Sequence, residues 1–181
     1  FQAALGNHDA PKAALAYEPF NMNGRRYYTF TRREVRFLVL DTNQLDGGQL
    51  ARAEQTLKTG PETWTIAVFH HRLYSNAGRH GSNLELRVEL EPLLVQYGVD
   101  VVFSGHDHAY ERLKPQNGIT YFVEGASGQL RRGDMQSSPD TAASYDQDQS
   151  FMVAEIAGET MTFQTISRTG RIVDAGVIRR R

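Results

Sequence analysis

Residues 99–108 read VDVVFSGHDH, an apolar run that ends in two histidines separated by one residue. The first half, Val99–Phe103, predicts a strand because β-branched and aromatic residues dominate it. Gly105 then allows a tight turn, from which His106 and His108 can face one cavity. An isolated His-x-His pair is equally consistent with an ordinary polar loop, so a site at this position depends on the other histidines.

Strand and helix patterns alternate on the amino-terminal side of this segment. The elements are, in chain order, a strand at Val35–Leu40, a helix at Gln49–Lys58, a strand at Thr65–Phe69, a helix at Leu84–Tyr97 and the strand at Val99–Phe103. Gly60-Pro61 should end the first helix, and Gly98 should cap the second. This alternation predicts an α/β sheet, in which sites form beyond the carboxyl ends of the strands.

The tail of the chain has a different pattern. Four strand-like segments are joined by turns that contain glycine: Ile119–Glu124, Phe151–Ile156, Met161–Ile166 and Ile172–Ile178. They predict a second, antiparallel sheet packed against the first. The stretch Gly125–Gln149 is rich in Ser, Gly, Asp and Gln, which predicts a long mobile loop on the site side. Residues 1–181 are therefore expected to form a single domain.

The composition limits the classes of partner. The formal net charge is −1, so we expect neither nucleic-acid binding nor attraction to an anionic membrane surface. Cysteine is absent, which excludes structural disulfides and cysteine-ligated zinc. The apolar runs are all shorter than the roughly 18 residues of a membrane-spanning helix.

The six histidines fall in four short stretches: Gly6-Asn7-His8-Asp9, Val68-Phe69-His70-His71, Arg79-His80-Gly81 and Gly105-His106-Asp107-His108. Imidazole is the commonest metal ligand, so this clustering predicts one site assembled from distant segments. Taken singly, His70 is equally consistent with a buried strand-end residue and His80 with an exposed loop residue. The alternative is a purely structural two-sheet domain whose histidines have no common function. In that case, each of the four stretches would have to contain its histidines for an unrelated reason.

The order of these segments resembles the calcineurin-like metallophosphoesterases, and within them the purple acid phosphatases. The resemblance extends from Gly6 to about Gly133 and also includes Leu73-Tyr74-Ser75 and the run Gly105–Arg112. It implies an α/β fold, a two-sheet αββα sandwich of the metallophosphoesterase type, with a binuclear centre at the strand ends. It also leads us to expect that the amino-terminal strands of that fold are missing from the chain.

The resemblance assigns roles to the site residues one by one. It implies that Asn7, His70 and His106 ligate one metal and that His108 ligates the other. His8 and His80 would contact phosphate or donate a proton, and His71 would lie behind the ligands. The implied cofactors are two divalent or mixed-valence ions, drawn from Fe, Zn or Mn, whose bridging hydroxide hydrolyses a phosphate monoester. The substrate would be a phosphorylated small molecule or a phosphoprotein, and the location extracytoplasmic.

Two departures from the family pattern leave alternatives open. The carboxylate motifs that the family places before Gly-Asn-His do not occur in Phe1–Leu5, so the chain is expected to hold one metal or none by itself. A non-catalytic domain that binds phosphate, one metal or a partner chain is the alternative, with self-association through an exposed sheet edge. A phosphodiesterase or nucleotidase remains open within the same class. Arg72 replaces a usual proline and is expected to face solvent or to contact phosphate.

Overall fold

The computed structural model describes residues 1–59 and 64–180, so the predicted helix stop at Gly60-Pro61 lies outside the described residues. Among the described residues, the larger sheet has seven strands. They are β1 (Tyr28–Arg32), β2 (Val35–Val39), β3 (Trp64–Val68), β4 (Val101–Ser104), β5 (Tyr110–Leu113), β6 (Thr120–Glu124) and β7 (Thr141–Tyr145). Their order across the sheet is β1-β2-β3-β4-β6-β5-β7. The three predicted strands of the amino-terminal part are thus confirmed.

The directions of these strands determine where a site can form. Strands β2, β3, β4 and β6 run parallel to one another, whereas β1, β5 and β7 pair antiparallel with their neighbours. The carboxyl ends of the four parallel strands therefore meet at one edge of the sheet. The segments that follow β3 and β4 begin at this edge, and they carry five of the six histidines.

Three α-helices lie within the described residues: α1 (Pro11–Ala16), α2 (Gly47–Lys58) and α3 (Leu84–Gln96). The side chain of Asp46 accepts a hydrogen bond from the first turn of α2, and that of Asn83 does the same for α3. Gly98 follows α3 with φ +64°, a conformation that favours glycine over other residues. The two helices and the cap predicted from the sequence are confirmed.

The smaller sheet is antiparallel and contains β8 (Ser150–Ala157), β9 (Thr160–Ser167) and β10 (Ile172–Arg179), in the order β10-β9-β8. One predicted member was assigned wrongly. The segment Ile119–Glu124 supplies β6, which pairs parallel with β4 in the larger sheet. Four of its five strand residues are buried, as expected for a strand covered on both faces. The predicted loop Gly125–Gln149 contains β7, and its mobility stays a prediction.

Two apolar cores hold three layers together. One core lies between the larger sheet and helices α2 and α3, where Leu57, Leu90 and Leu94 pack against strand residues. The other lies between the two sheets and includes Trp64, Phe122 and Phe163. The two-sheet sandwich expected from the sequence is confirmed, with α2 and α3 covering the outer face of the larger sheet.

Trp64 joins the two sheets, and its loss should weaken the sandwich. Its side chain is fully buried, and its Nε1 donates a hydrogen bond of 2.7 Å to the carbonyl of Gly158 in the turn between β8 and β9. We expect Trp64→Phe to lower the free energy of unfolding by about 2 kcal/mol, because a cavity forms and that carbonyl loses its donor. Urea unfolding measures the change. Phe151→Leu, at a half-exposed residue of β8, is the control, and an equal loss in both variants would contradict this role.

Candidate metal centre

The segments after β3 and β4 are held side by side by backbone hydrogen bonds. Phe69 N donates to Phe103 O at 3.1 Å, and Gly105 N donates to His70 O at 3.0 Å. The pairing of the two parallel strands therefore continues beyond their formal ends. As a result, His70 and His106 lie next to each other although 36 residues separate them in sequence.

The donor atoms of three predicted ligands lie close together. The distance from His70 Nε2 to Asn7 Oδ1 is 2.8 Å, that from His70 Nε2 to His106 Nδ1 is 3.0 Å, and that from His106 Nδ1 to Asn7 Oδ1 is 3.2 Å. Donor atoms bound about 2.0–2.1 Å from one ion lie about 2.8–3.0 Å apart at the right angles of an octahedral site and about 3.3–3.4 Å apart in a tetrahedral one. The structure thus brings Asn7, His70 and His106 together in an arrangement that fits a metal ion.

The amino-terminal loop brings Asn7 to this position through a close approach of its backbone. Gly6 N donates to the carboxylate of Asp9 at 2.6 Å, which closes the turn that carries Asn7. A Cβ atom on Gly6 would lie 2.9 Å from Nδ1 of His70, which is shorter than real Cβ contacts. Glycine at position 6 therefore lets the Asn7 loop reach the ring of His70.

His106 has an unusual backbone conformation that its surroundings maintain. Its φ is +68°, in the left-handed region, which costs free energy for a residue with a side chain. The next residue, Asp107, is fully buried, and its carbonyl packs so closely on Gly125 that a Cβ atom there would lie 1.9 Å away. Tight packing of Asp107 thus fixes the turn that presents both histidines of the His-x-His pair.

Arg72 lies behind the site and contacts two of its other segments. Its Nε donates to the carbonyl of Gly81 at 2.6 Å and lies 2.9 Å from Oδ2 of Asp107. The residue is only 5% exposed, so the expectation that it faces solvent is wrong. A buried carboxylate needs a countercharge, and Asp107 provides the reason for an arginine at a position where the family usually has proline. Arg72 thereby links the segments that carry His70, His80 and His106.

Burial keeps the two ligand histidines uncharged. It lowers the pKa of His70 from 6.5 to about 4, and the neighbouring His71 lowers it further. Burial also lowers the pKa of His106 to about 3, with Arg72 contributing in the same direction. Both imidazoles are therefore neutral near pH 7, with electron pairs available to a metal ion.

Two more imidazole rings surround His106. The ring centroid of His80 lies 4.6 Å from that of His106, and the ring centroid of His71 lies 4.7 Å from it. The Nδ1 of His71 is 3.0 Å from the hydroxyl of Thr42, in the segment that follows β2. Thr42 was not assigned a role from the sequence, although its place after a parallel strand could have suggested one.

His8 and His108 lie at the edge of this group. His8 is exposed on the loop that carries Asn7. His108 is partly buried, and its Nδ1 has no hydrogen-bond partner among residues 1–59 and 64–180. Burial lowers the pKa of His108, and the charge of nearby Arg131 lowers it further. Its predicted role as a ligand of a second metal stays a prediction.

A large cavity in the described part of the chain lies away from these histidines. It has a volume of about 780 Å³ between β1, β2 and α2, and none of its lining residues is a predicted site residue. None of the described helices combines the length and apolarity needed to cross a membrane.

A mixed sheet that gathers imidazole and amide side chains beyond the carboxyl ends of its parallel strands is an arrangement typical of metal-dependent hydrolases. The family model of calcineurin-like phosphoesterases matches residues 1–110, and the chain belongs to that family. Within it, the chain is similar to the purple acid phosphatases. It is 35% identical over 105 residues to purple acid phosphatase 17 of Arabidopsis thaliana, a match that covers 56% of this chain and 31% of that protein. The chain thus spans about a third of the length of this relative.

Solved structures support the fold. A Plasmodium protein described as GAP50, the anchor in the inner membrane complex, aligns with a TM-score of 0.73 at 20% identity, over 86% of this chain and 55% of its own. The purple acid phosphatase PPD1 from yellow lupin, Lupinus luteus, aligns with a TM-score of 0.69 at 23% identity, over 86% of this chain and 33% of its own.

The pair of Arg72 and Asp107 should be required for the geometry of the site. We expect Asp107→Asn to lower the free energy of unfolding by about 3 kcal/mol, because Arg72 is then buried without a countercharge. The ring NMR signals of His106 and His80 should also move, since the turn at residue 106 loses its anchor.

Asp174→Asn is the matched control, because Asp174 pairs with Arg112 between the sheets at 2.7 Å. This variant should destabilise the chain while the histidine signals stay in place. Unmoved histidine signals in Asp107→Asn would contradict the role of the Arg72 pair.

Proposed function

We propose that this chain carries metal-binding residues of an acid-phosphatase-like enzyme that hydrolyses phosphate monoesters in the complete protein. The observation that supports this most directly is the triangle of donor atoms from Asn7, His70 and His106, with sides of 2.8–3.2 Å. An amide oxygen and two neutral imidazoles suit Fe, Zn or Mn better than Ca. A bound ion of this kind supplies Lewis acidity to the phosphoryl oxygens.

Two histidines outside the triangle are proposed to act on the phosphate group. His80 is exposed and lies against the ring of His106, so it can approach a phosphate bound beside the metal ligands. His8 is exposed on the neighbouring loop. An imidazolium at either position would donate a hydrogen bond to a phosphate oxygen and pass a proton to the leaving alcohol.

We also propose that a second metal ion binds beside the first in the complete protein. His108 is the residue that would contribute to it, and its Nδ1 is buried and unpartnered in the described structure. One imidazole is too few to hold an ion tightly, so the chain by itself is proposed to hold the first metal more firmly than the second.

The substrate class follows from the family alone. A phosphorylated small molecule or a phosphoprotein fits the proposed chemistry, and we propose no nucleic-acid or membrane partner. A phosphodiesterase or a nucleotidase is the alternative within the same class. An extracytoplasmic location likewise stays a prediction.

A second candidate function is a non-catalytic domain that binds a partner chain. The outer face of the smaller sheet favours it, because Phe151, Val153, Ile172 and Val177 are each half exposed or more. Cross-strand neighbours Phe151, Ile166 and Ile172 continue this apolar surface across all three strands. A similar fold occurs in the Plasmodium protein that is described as the anchor in the inner membrane complex.

Hydrolysis of p-nitrophenyl phosphate by the zinc-loaded complete protein separates the two candidates. We expect His106→Ala to reduce kcat/KM by about 100-fold or more, because a metal ligand is removed. Thr162→Ala, at an exposed residue of β9, is the control and should keep full activity. A zinc-loaded complete protein without activity, or an unaffected His106→Ala variant, would contradict the enzymatic function. Bis-p-nitrophenyl phosphate, assayed in parallel, reports on diesters.

A further inference from the structure

We propose that His71 is a third imidazole ligand of the metal ion that Asn7, His70 and His106 hold. This inference rests on the proposed metal site and extends it by one residue. The sequence suggested only that His71 lies behind the ligands, because it directly follows one of them. It was therefore expected to support the ligands and not to contact the metal ion itself.

The geometry brings His71 to the same side as the other rings. One ring nitrogen from each of His70, His71 and His106 can be chosen so that all three lie within 4.8 Å of one another. The ring centroid of His71 is 5.0 Å from that of His70 and 4.7 Å from that of His106. Among the described residues, these are the three side chains whose nitrogen or carboxylate atoms form such a group.

Thr42 holds the ring of His71 in an orientation suited to metal binding. Its hydroxyl oxygen accepts the backbone N–H of His71 at 3.0 Å and lies 3.0 Å from Nδ1 of the same residue. A hydroxyl oxygen has two lone pairs, so it can accept a second hydrogen bond from Nδ1–H. The neutral tautomer with hydrogen on Nδ1 leaves an electron pair on Nε2. Metal-bound histidines are commonly oriented in this way by an acceptor at the other ring nitrogen.

The resulting set of donors is complete for one ion. Three imidazole nitrogens and the amide oxygen of Asn7 make four ligands, the usual number for zinc. His71 thus adds a fourth donor to the three family positions. His108 is not part of this group, so the four-ligand site does not depend on a second metal.

X-ray absorption at the zinc edge counts the imidazoles directly. The full chain, loaded with one equivalent of Zn²⁺, should show three imidazole ligands, and His71→Ala should show two. We expect the zinc dissociation constant of His71→Ala to rise by about tenfold or more, and that of Thr42→Val to rise less, because Thr42 only orients the ring. His8→Ala is the histidine control and should keep three imidazoles and the wild-type affinity.

The outcomes separate this inference from the proposed function. Two imidazoles in the wild-type chain, or an unchanged count in His71→Ala, would overturn it even if the enzyme hydrolyses phosphate monoesters. Three imidazoles that fall to two would support it even if the chain has no phosphatase activity. If His71→Ala does not fold, NMR of the wild-type chain decides: zinc should shift the Nε2 signal of His71, and an unshifted signal would overturn the inference.

Discussion

The parallel pairing of β3 with β4 is the constraint on which the site depends. Its hydrogen bonds continue past the strand ends, through Phe69 with Phe103 and Gly105 with His70. This continuation sets the distance between the backbones that carry His70 and His106. Because β2 lies parallel on the other side of β3, Thr42 also reaches the same edge and contacts His71. Residues far apart in sequence thus become the proposed ligands of one metal site and the residues that support them.

Buried charge and a strained turn lie directly behind the ligands. His106 has a positive φ, and Asp107 is fully buried beside Arg72. Each of these features lowers the free energy of unfolding when taken alone. Tight packing around them must offset that cost for the folded chain to keep them. A support of this kind would hold the donor atoms of the proposed ligands in place before a metal ion binds. Less reorganisation is then needed when the ion binds.

The sequence predicted much of the fold and the grouping of Asn7, His70 and His106, but not the residues that support this group. The apolar runs before His70 and Gly105 were sufficient to predict β3, β4 and a cluster of histidines at their ends. The pairing of Ile119–Glu124 was wrong, because an apolar segment does not specify which sheet it joins. Strand β5 and the roles of Thr42 and Arg72 were missed for a related reason. Their partners lie on other segments, and only the folded chain brings them together.

Anomalous diffraction at the zinc edge, from a crystal of this chain grown with Zn²⁺, tests the central claim that separate segments form one metal site. The predicted result is a peak within bonding distance of Asn7 Oδ1, His70 Nε2 and His106 Nδ1. The three donor atoms should keep the close spacing that they have in the structure. A crystal without a peak at these atoms, or with zinc bound only at unrelated surface residues, would contradict it.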